Sequence, residues 1–293
     1  MSNKEVPLVS ICMPTYNGEA FIAESLESAI IQSYPNLEII ISDDASKDNT
    51  LAIVESFKSK TDIPIHIYHH EPQGIGANWN HSVRQSKGDH IKFLFQDDIL
   101  EPDCITKMMQ LMSNSNVGLV YTRRHFIYNK LTPKLQEFID YYGSLHTYWQ
   151  DFKVNEGVLS GKIYLRDRQL LNSPKNKIGE PTNVLLRKAC FDKVGYFNEE
   201  LQQVLDSDYW YRVMCFYDIG FIDEALASFR LHDKQASSVN KKRDIPDKDL
   251  VYKQYYKNLF WYLHLKNKLK LLKLYHPVFK VLTRIKQHFY GRK

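Results

Sequence analysis

Two adjacent carboxylates, Asp97 and Asp98, interrupt the run "KFLFQDDILEPD" (92–103) just after the apolar stretch Phe93, Leu94 and Phe95 and a single Gln96. Like charges at the end of a buried-looking strand repel each other, and desolvating them is costly unless something positive sits nearby. Either they face water at a surface turn, or they hold a cation. Carboxylate oxygens are the ligands a hard divalent ion takes. Two further polar clusters end apolar runs upstream: "PTYN" (14–17), with Thr15 and Tyr16, and "SDDAS" (42–46), with Asp43 and Asp44. Downstream, "DSDYWYR" sets Asp206 and Asp208 at the head of a helix-like stretch that reaches Arg212, and "FRLHDKQAS" brings a strand out at His232. A carboxylate opening a helix can serve as a general base, or it can simply cap the helix and oppose its dipole.

The elements that must position these residues alternate in type. "LVSICMP", "LEIIISDD", "IPIHIYHH", "HIKFLFQDD" and "VGLVYT" read as strands. Between them, "EAFIAESLESAIIQ" puts Ile22, Leu26, Ala29 and Ile30 on one helical face, and "TLAIVESFKSK", "NWNHSVRQS" and "CITKMMQLM" also read as helices. This alternation predicts an α/β fold with a mixed, mostly parallel sheet flanked by helices. In open α/β sheets, ligands bind beyond the carboxyl ends of the strands, so the three polar clusters converge on one edge. Residues 124–177 are aromatic and irregular and receive no assignment. Order resumes at 179–201, "DSDYWYRVMCFY" is helical, and "GFIDEALASFRLH" is a strand.

The chain has 293 residues and a formal net charge of +5, distributed unevenly. Residues 241–293 carry 15 Lys and Arg against 3 Asp and Glu, whereas the first 240 carry 24 against 31. The division predicts a domain over 1–240 and a basic helical tail over 241–293. It argues against a nucleic-acid-binding main domain and for a tail with its own anionic partner. Four scattered cysteines form no CxxC pair, and no signal-peptide core or membrane-spanning apolar run is visible. "GIGANWN" lacks a third glycine where Trp79 stands, which excludes a dinucleotide fingerprint.

"VSICMPTYN", "IIISDDASKDNT", "GANWNHSVRQSKGDHIKFLFQDDILEPD", "KVGYFNEEL…LDSDYWYR" and "FRLHDKQAS", in that order, resemble glycosyltransferase family two, the inverting nucleotide-sugar enzymes of the GT-A fold. The resemblance covers about 8–238. It implies a nucleoside diphosphate sugar donor, with UDP favoured, and a divalent cation, Mn²⁺ or Mg²⁺, bridging the phosphates. It implies Asp98 as the metal carboxylate, Asp97 toward the donor ribose or the metal shell, and Tyr16, beside Thr15, against the nucleobase. One of Asp43 and Asp44 accepts the uracil imide N–H while the other caps the next helix, and Asn80 contacts the donor. Asp206 is the base, with Asp208 the alternative, and His232 closes over the diphosphate and can ligate the metal. The sequence departs from the family pattern twice. Phe95 stands where many relatives have an acidic residue, and Trp79 stands where relatives often have Arg; Arg84, one helical turn later, is a candidate replacement, although a solvated helix face is the preferred reading of it.

The tail adds an aromatic block at 259–263. After Pro277, Val278, Val281, Leu282, Ile285 and Phe289 recur at helical spacing, with Lys280, Arg284 and Lys286 between them. This pattern suits an anionic membrane surface, or else packing on the main domain or on a second copy in a homo-oligomer. The expected activity is hexosyl or N-acetylhexosaminyl transfer to a glycan or lipid-linked acceptor in surface polysaccharide synthesis. The expected place is cytoplasmic, peripheral on the inner membrane face. The competing readings are a sugar nucleotidyltransferase, which would favour a Gly-rich basic loop after the first strand, and a non-catalytic carbohydrate-binding or membrane-scaffold protein. Determinants of acceptor choice are expected in the aromatic middle segment and near 180–183.

Overall fold

The computed structural model describes residues 6–232, 235, 245 and 247–282. Four parallel strands, β1 (Val9–Thr15), β2 (Leu37–Asp43), β3 (Ile65–His69) and β4 (His90–Phe93), lie in the order β3-β2-β1-β4. They are linked by the helices α1 (Ile22–Ile30), α2 (Thr50–Phe57) and α3 (Ile75–Gln85). α3 opens before the expected run because Gly74 takes a φ of +108°, which leads the chain sharply into the helix.

The chain continues through β5 (Ile99–Leu100), α4 (Cys104–Met112), β6 (Val117–Ile127), α5 (Pro133–Tyr142), β7 (Gly157–Ser160) and α6 (Gly161–Leu165). Then follow β8 (Val184–Arg187), α7 (Ala189–Val194), α8 (Leu205–Val213), β9 (Asp218–Arg230), α9 (Asp247–Asn258) and α10 (Leu265–Tyr275). The sheet extends β4-β8-β6-β9-β5, with β7 also on β9. β8 enters antiparallel between β4 and β6, and β6 pairs parallel with β9.

Side-chain alternation assigns the strands to two cores. Val9, Ile11 and Met13 of β1 face α1, α2 and α4 through Leu26, Val54 and Met108. Cys12 of β1 and Ile40 of β2 face the opposite way, toward Val83 of α3 and Tyr209 of α8. Because helices cover both faces, β1 and β2 are buried throughout and read as apolar runs. All four cysteines are buried free thiols.

The basic C-terminal region joins the second core. Val251, Tyr252 and Tyr255 of α9, together with Leu259, Leu263 and Leu271, belong to the same buried cluster as Trp210 and Tyr211 of α8. Residues 247–271 therefore pack on the main domain, although a tail was expected from 241. Residues 277–282 are helical and leave Val278, Val281 and Leu282 exposed; Arg284, Ile285, Lys286 and Phe289 lie outside the described residues. Among the described residues no helix is long and apolar enough to cross a membrane.

Candidate active site

The strand ends form one polar edge, and its two Asp pairs each divide into an inner and an outer member. Asp43 is fully buried; its carboxylate accepts hydrogen bonds from Thr15 Oγ1 (2.9 Å), Ser46 Oγ (2.6 Å) and the Ser46 N–H (2.9 Å). It closes an Asx-type turn that fixes the loop after β2. Asp44 faces outward, and its Oδ1 lies 2.5 Å from His70 Nδ1, the donor at the end of β3. Tyr16 is 55% exposed, and its peptide is gripped on both sides by the Gln96 amide, at 2.9 and 3.0 Å.

Asp98 is the inner residue of the second pair. It has no exposure; Thr182 Oγ1 donates to its Oδ2 (2.6 Å) and the Arg230 N–H donates to its Oδ1 (3.1 Å). Burial and then the charge of Asp97 push its carboxyl well above the usual range. Asp97 points outward to His232, Oδ2 to Nε2 2.9 Å, with both side chains about one-fifth exposed. The structure thus brings His232 to Asp97 and not to Asp98, where the metal carboxylate was expected. The physical reason is that Asp98 has already been recruited as a clasp between the 181–183 turn and the end of β9. Arg230 reinforces that clasp, donating from Nε to Asp97 O (2.9 Å) and from Nη2 to Glu24 Oε2 (2.5 Å).

The 179–183 segment leads from this loop to α8. Glu180 is paired with Arg124 Nε at 2.9 Å, and its charge raises the carboxyls of both Asp98 and Asp206. Asp206 sits in the first turn of α8 and accepts hydrogen bonds from Asn176 Nδ2 (2.7 Å) and the Ser207 N–H (2.6 Å). Burial, and secondarily Glu180, push its carboxyl up to about 7 against those two bonds. Asp208 lies behind it, 2% exposed, accepting from Arg212 Nε at 2.9 Å. Arg212 also donates to the carbonyls of Val194 (2.7 Å) and Tyr196 (2.8 Å), so this pair anchors α8 to the segment after α7.

On α3, Asn80 and Arg84 both have partners within the protein. Asn80 is 1% exposed and its amide is tied to the backbone of Phe197, donating to O (2.9 Å) and accepting from N–H (3.0 Å), so it faces the interior rather than the strand-end edge. Arg84 lies 3.6 Å from Glu199 and over the Tyr196 ring, away from the carboxylates. Trp79 and Phe95, the two departures from the family pattern, pack on each other with ring centroids 5.1 Å apart. An apolar contact thus occupies both positions.

Three contributors escaped the sequence. Asn176 and Arg124 belong to the segment with no readable period, and His70 followed a strand as one of several histidines. The segment 180–183 carried a signal in its Pro and polar residues, which mark a turn. Among the described residues no group of three or more His, Cys, Asp or Glu is arranged to hold a metal. Asp97 and His232 offer two accessible donor atoms, which fits a divalent ion that takes its other ligands from a diphosphate and water rather than an all-protein cage.

Residues 10–195 match the family described as glycosyl transferase family 2, and the chain belongs to that family. An uncharacterized glycosyltransferase of Rickettsia typhi is 28% identical over 239 residues, which is 80% of this chain and 68% of that protein. One of Rickettsia felis is 29% identical over 79% of this chain, which spans only 35% of its length. Among solved structures, S. aureus TarS 1–349 in complex with UDP-GlcNAc superposes with a TM-score of 0.63 at 18% identity, covering 98% of this chain and 76% of that one. The mannosyltransferase PcManGT from Pyrobaculum calidifontis, in complex with GDP-Man and Mn²⁺, gives 0.57 at 14% identity, with 99% and 89% covered. The fold is that of the GT-A glycosyltransferases.

Proposed function

We propose that the protein transfers a glycosyl unit with inversion from a UDP-sugar to a hydroxyl of a glycan or lipid-linked acceptor, in the synthesis of a surface polysaccharide. Asp206 carries this reading: in the first turn of α8, near the Glu180 that also acts on Asp98, a carboxyl raised to about 7 holds a proton weakly enough to be ionised near neutrality and strongly enough to take one. Asp206 removes the acceptor hydroxyl proton. The hydroxyl oxygen bonds to the anomeric carbon as the bond from that carbon to the diphosphate breaks, and the nucleoside diphosphate departs. Asn176 and the Ser207 N–H hold the carboxylate in place for the attack. Asp97 and His232 would hold Mn²⁺ or Mg²⁺, which when bound supplies positive charge to the departing diphosphate.

At the other end of the site, Asp44 is held by His70 through one oxygen, which leaves the second to accept an imide N–H. The TarS complexes with UDP and UDP-GlcNAc support a uracil donor. Tyr16, exposed above this end, offers a flat face to the base. The enzyme works on the inner, cytoplasmic face of a membrane carrying the acceptor, and the exposed residues of the C-terminal helices support this reading. Trp261 is 82% exposed, Leu265, Leu269 and Leu274 are exposed on α10, and lysines run between them, which suits an anionic lipid surface.

Release of nucleoside diphosphate from a panel of UDP-, GDP- and dTDP-sugars with Mn²⁺ tests the function. Turnover of a UDP-sugar is expected, lost in Asp206→Asn while UDP still binds. Full turnover in Asp206→Asn with none in Asp208→Asn would overturn the assignment.

A further inference from the structure

A cavity with lysines set in a mostly apolar wall lies behind α8, on the side where α9 packs. It has a volume of about 250 Å³ and is lined by the 170–175 segment, the start of α8 and the start of α9. Lys175 and Lys248 are on its wall. Lys270 of α10 reaches the same place: its Nζ donates to Leu171 O (3.2 Å) and to Tyr252 Oη (3.4 Å), the two atoms that Lys175 Nζ also holds. Both ammonium groups lie 5.1 Å from the centre of the Tyr252 ring. Three elements distant in sequence therefore converge to bring three lysines together.

Such a cluster normally has carboxylates between its members. Here, among the described residues, none of the three lysines forms an ion pair. The carboxylate on the lining, Asp247, is engaged elsewhere: it accepts the backbone N–H groups of Gln202 (3.0 Å), Gln203 (2.6 Å) and Val204 (3.2 Å) at the entry to α8. Among the described residues no carboxylate pairs with the cluster, and Lys175 registers this. Burial first, and then the charges of Lys270 and Lys248, push its ammonium down to about 8. Lys270 is lowered by burial and by Lys248 and Lys266. A phosphate group fits within the cavity with room for water, and its oxygens can accept from several ammonium groups at once.

We propose that this cavity is a phosphate-binding site, formed by Lys175, Lys248 and Lys270 with Tyr252, and separate from the donor site. It does not depend on the glycosyl-transfer reading. Its wall includes Ser207, the neighbour of Asp206, so an anion seated there stiffens the base helix from behind. The phosphate group can come from a free anion in solution or from a lipid headgroup presented at the surface that α10 faces.

The test uses the full chain and two probes. Inorganic phosphate is titrated against the protein at constant ionic strength, with sulfate-free chloride as reference, and the rise in Tm and the binding heat are read. Vesicles of phosphatidylcholine with and without phosphatidic acid are the second probe, read by co-sedimentation. Lys248→Glu is the principal variant because Lys248 is exposed. Lys175→Met is the second, and Lys253→Glu, exposed on the same helix, is the control. Saturable phosphate binding weakened about tenfold or more by Lys248→Glu, and unaltered by Lys253→Glu, supports a site open to free phosphate. Binding only to phosphatidic acid vesicles with the same dependence supports the headgroup as source. The proposal is overturned if neither probe binds saturably, or if both lysine variants and the control behave alike.

Discussion

Replacing the base with its amide should make the enzyme inactive and more stable at the same time, and only above a certain pH. The carboxyl of Asp206 moves from 3.8 to about 7 on folding, chiefly because burial penalises its charge. A shift of about 3 units corresponds to about 4 kcal/mol of preference for the neutral form. The sign follows from proton uptake. Between pH 3.8 and 7 the folded state holds a proton that the unfolded state has lost, so stability falls as pH rises through this window and the full cost is present above it. At pH 4 the carboxyl is neutral in the folded state and only about half ionised in the unfolded one, so most of the cost is gone. Asp206→Asn never ionises and escapes the cost altogether. The gap in Tm between variant and wild type should therefore widen from pH 4 to pH 8, by on the order of 10 °C for a chain of this size. Thermal unfolding followed by circular dichroism at the two pH values reads the gap. In the wild type, kcat/KM should fall about tenfold per unit below pH 7. A gap independent of pH would refute the reasoning, because Asp206 would then carry no buried charge in the folded state.

Trp79→Arg alone should destabilise the fold by about 3–5 kcal/mol, since it buries a charge beside Phe95, and adding Phe95→Asp should recover part of the loss; denaturant midpoints around the double-mutant cycle read the coupling. Asp44→Asn should weaken UDP binding about tenfold or more in calorimetry while leaving the Tm close to wild type, whereas Asp43→Asn should lower the Tm by loosening the loop after β2. Trp261→Glu should reduce sedimentation with anionic vesicles without altering turnover of a soluble acceptor; unchanged sedimentation would remove the membrane from the proposal.

The parallel half of the sheet was legible because its strands are covered on both faces, so Val9–Thr15 and Leu37–Asp43 are buried along their whole length and mostly apolar before their polar ends. Their polar ends stood out for the same reason. Three short strands were not legible. β8 is four residues long and pairs with β4 and β6, whose partners lie far away in sequence, so no local period announces it. α5 buries none of its residues and left no apolar stripe to find. At the site, residue type located both Asp pairs but not their division of labour. Asp98 and Asp97 are identical in chemistry, and only the arrival of Thr182 and Arg230 turns one inward. Asn80 shows the same limit: an amide in a family motif serves contacts to Phe197 that sequence spacing does not encode.

That inward turn sets an order of assembly. The Arg230 N–H that clasps Asp98 lies 132 residues further along the chain, and His232 lies 135 residues beyond Asp97. A ribosome adding about 5–20 residues per second takes roughly 7–26 s to go from the two carboxylates to the end of β9. During that interval β1, β2, β3 and β4 have every partner they need to pair, yet Asp97 and Asp98 stay repelled and solvated. The nascent chain can build its parallel half early, but the edge that faces the donor closes only when the last strand of the sheet has left the ribosome.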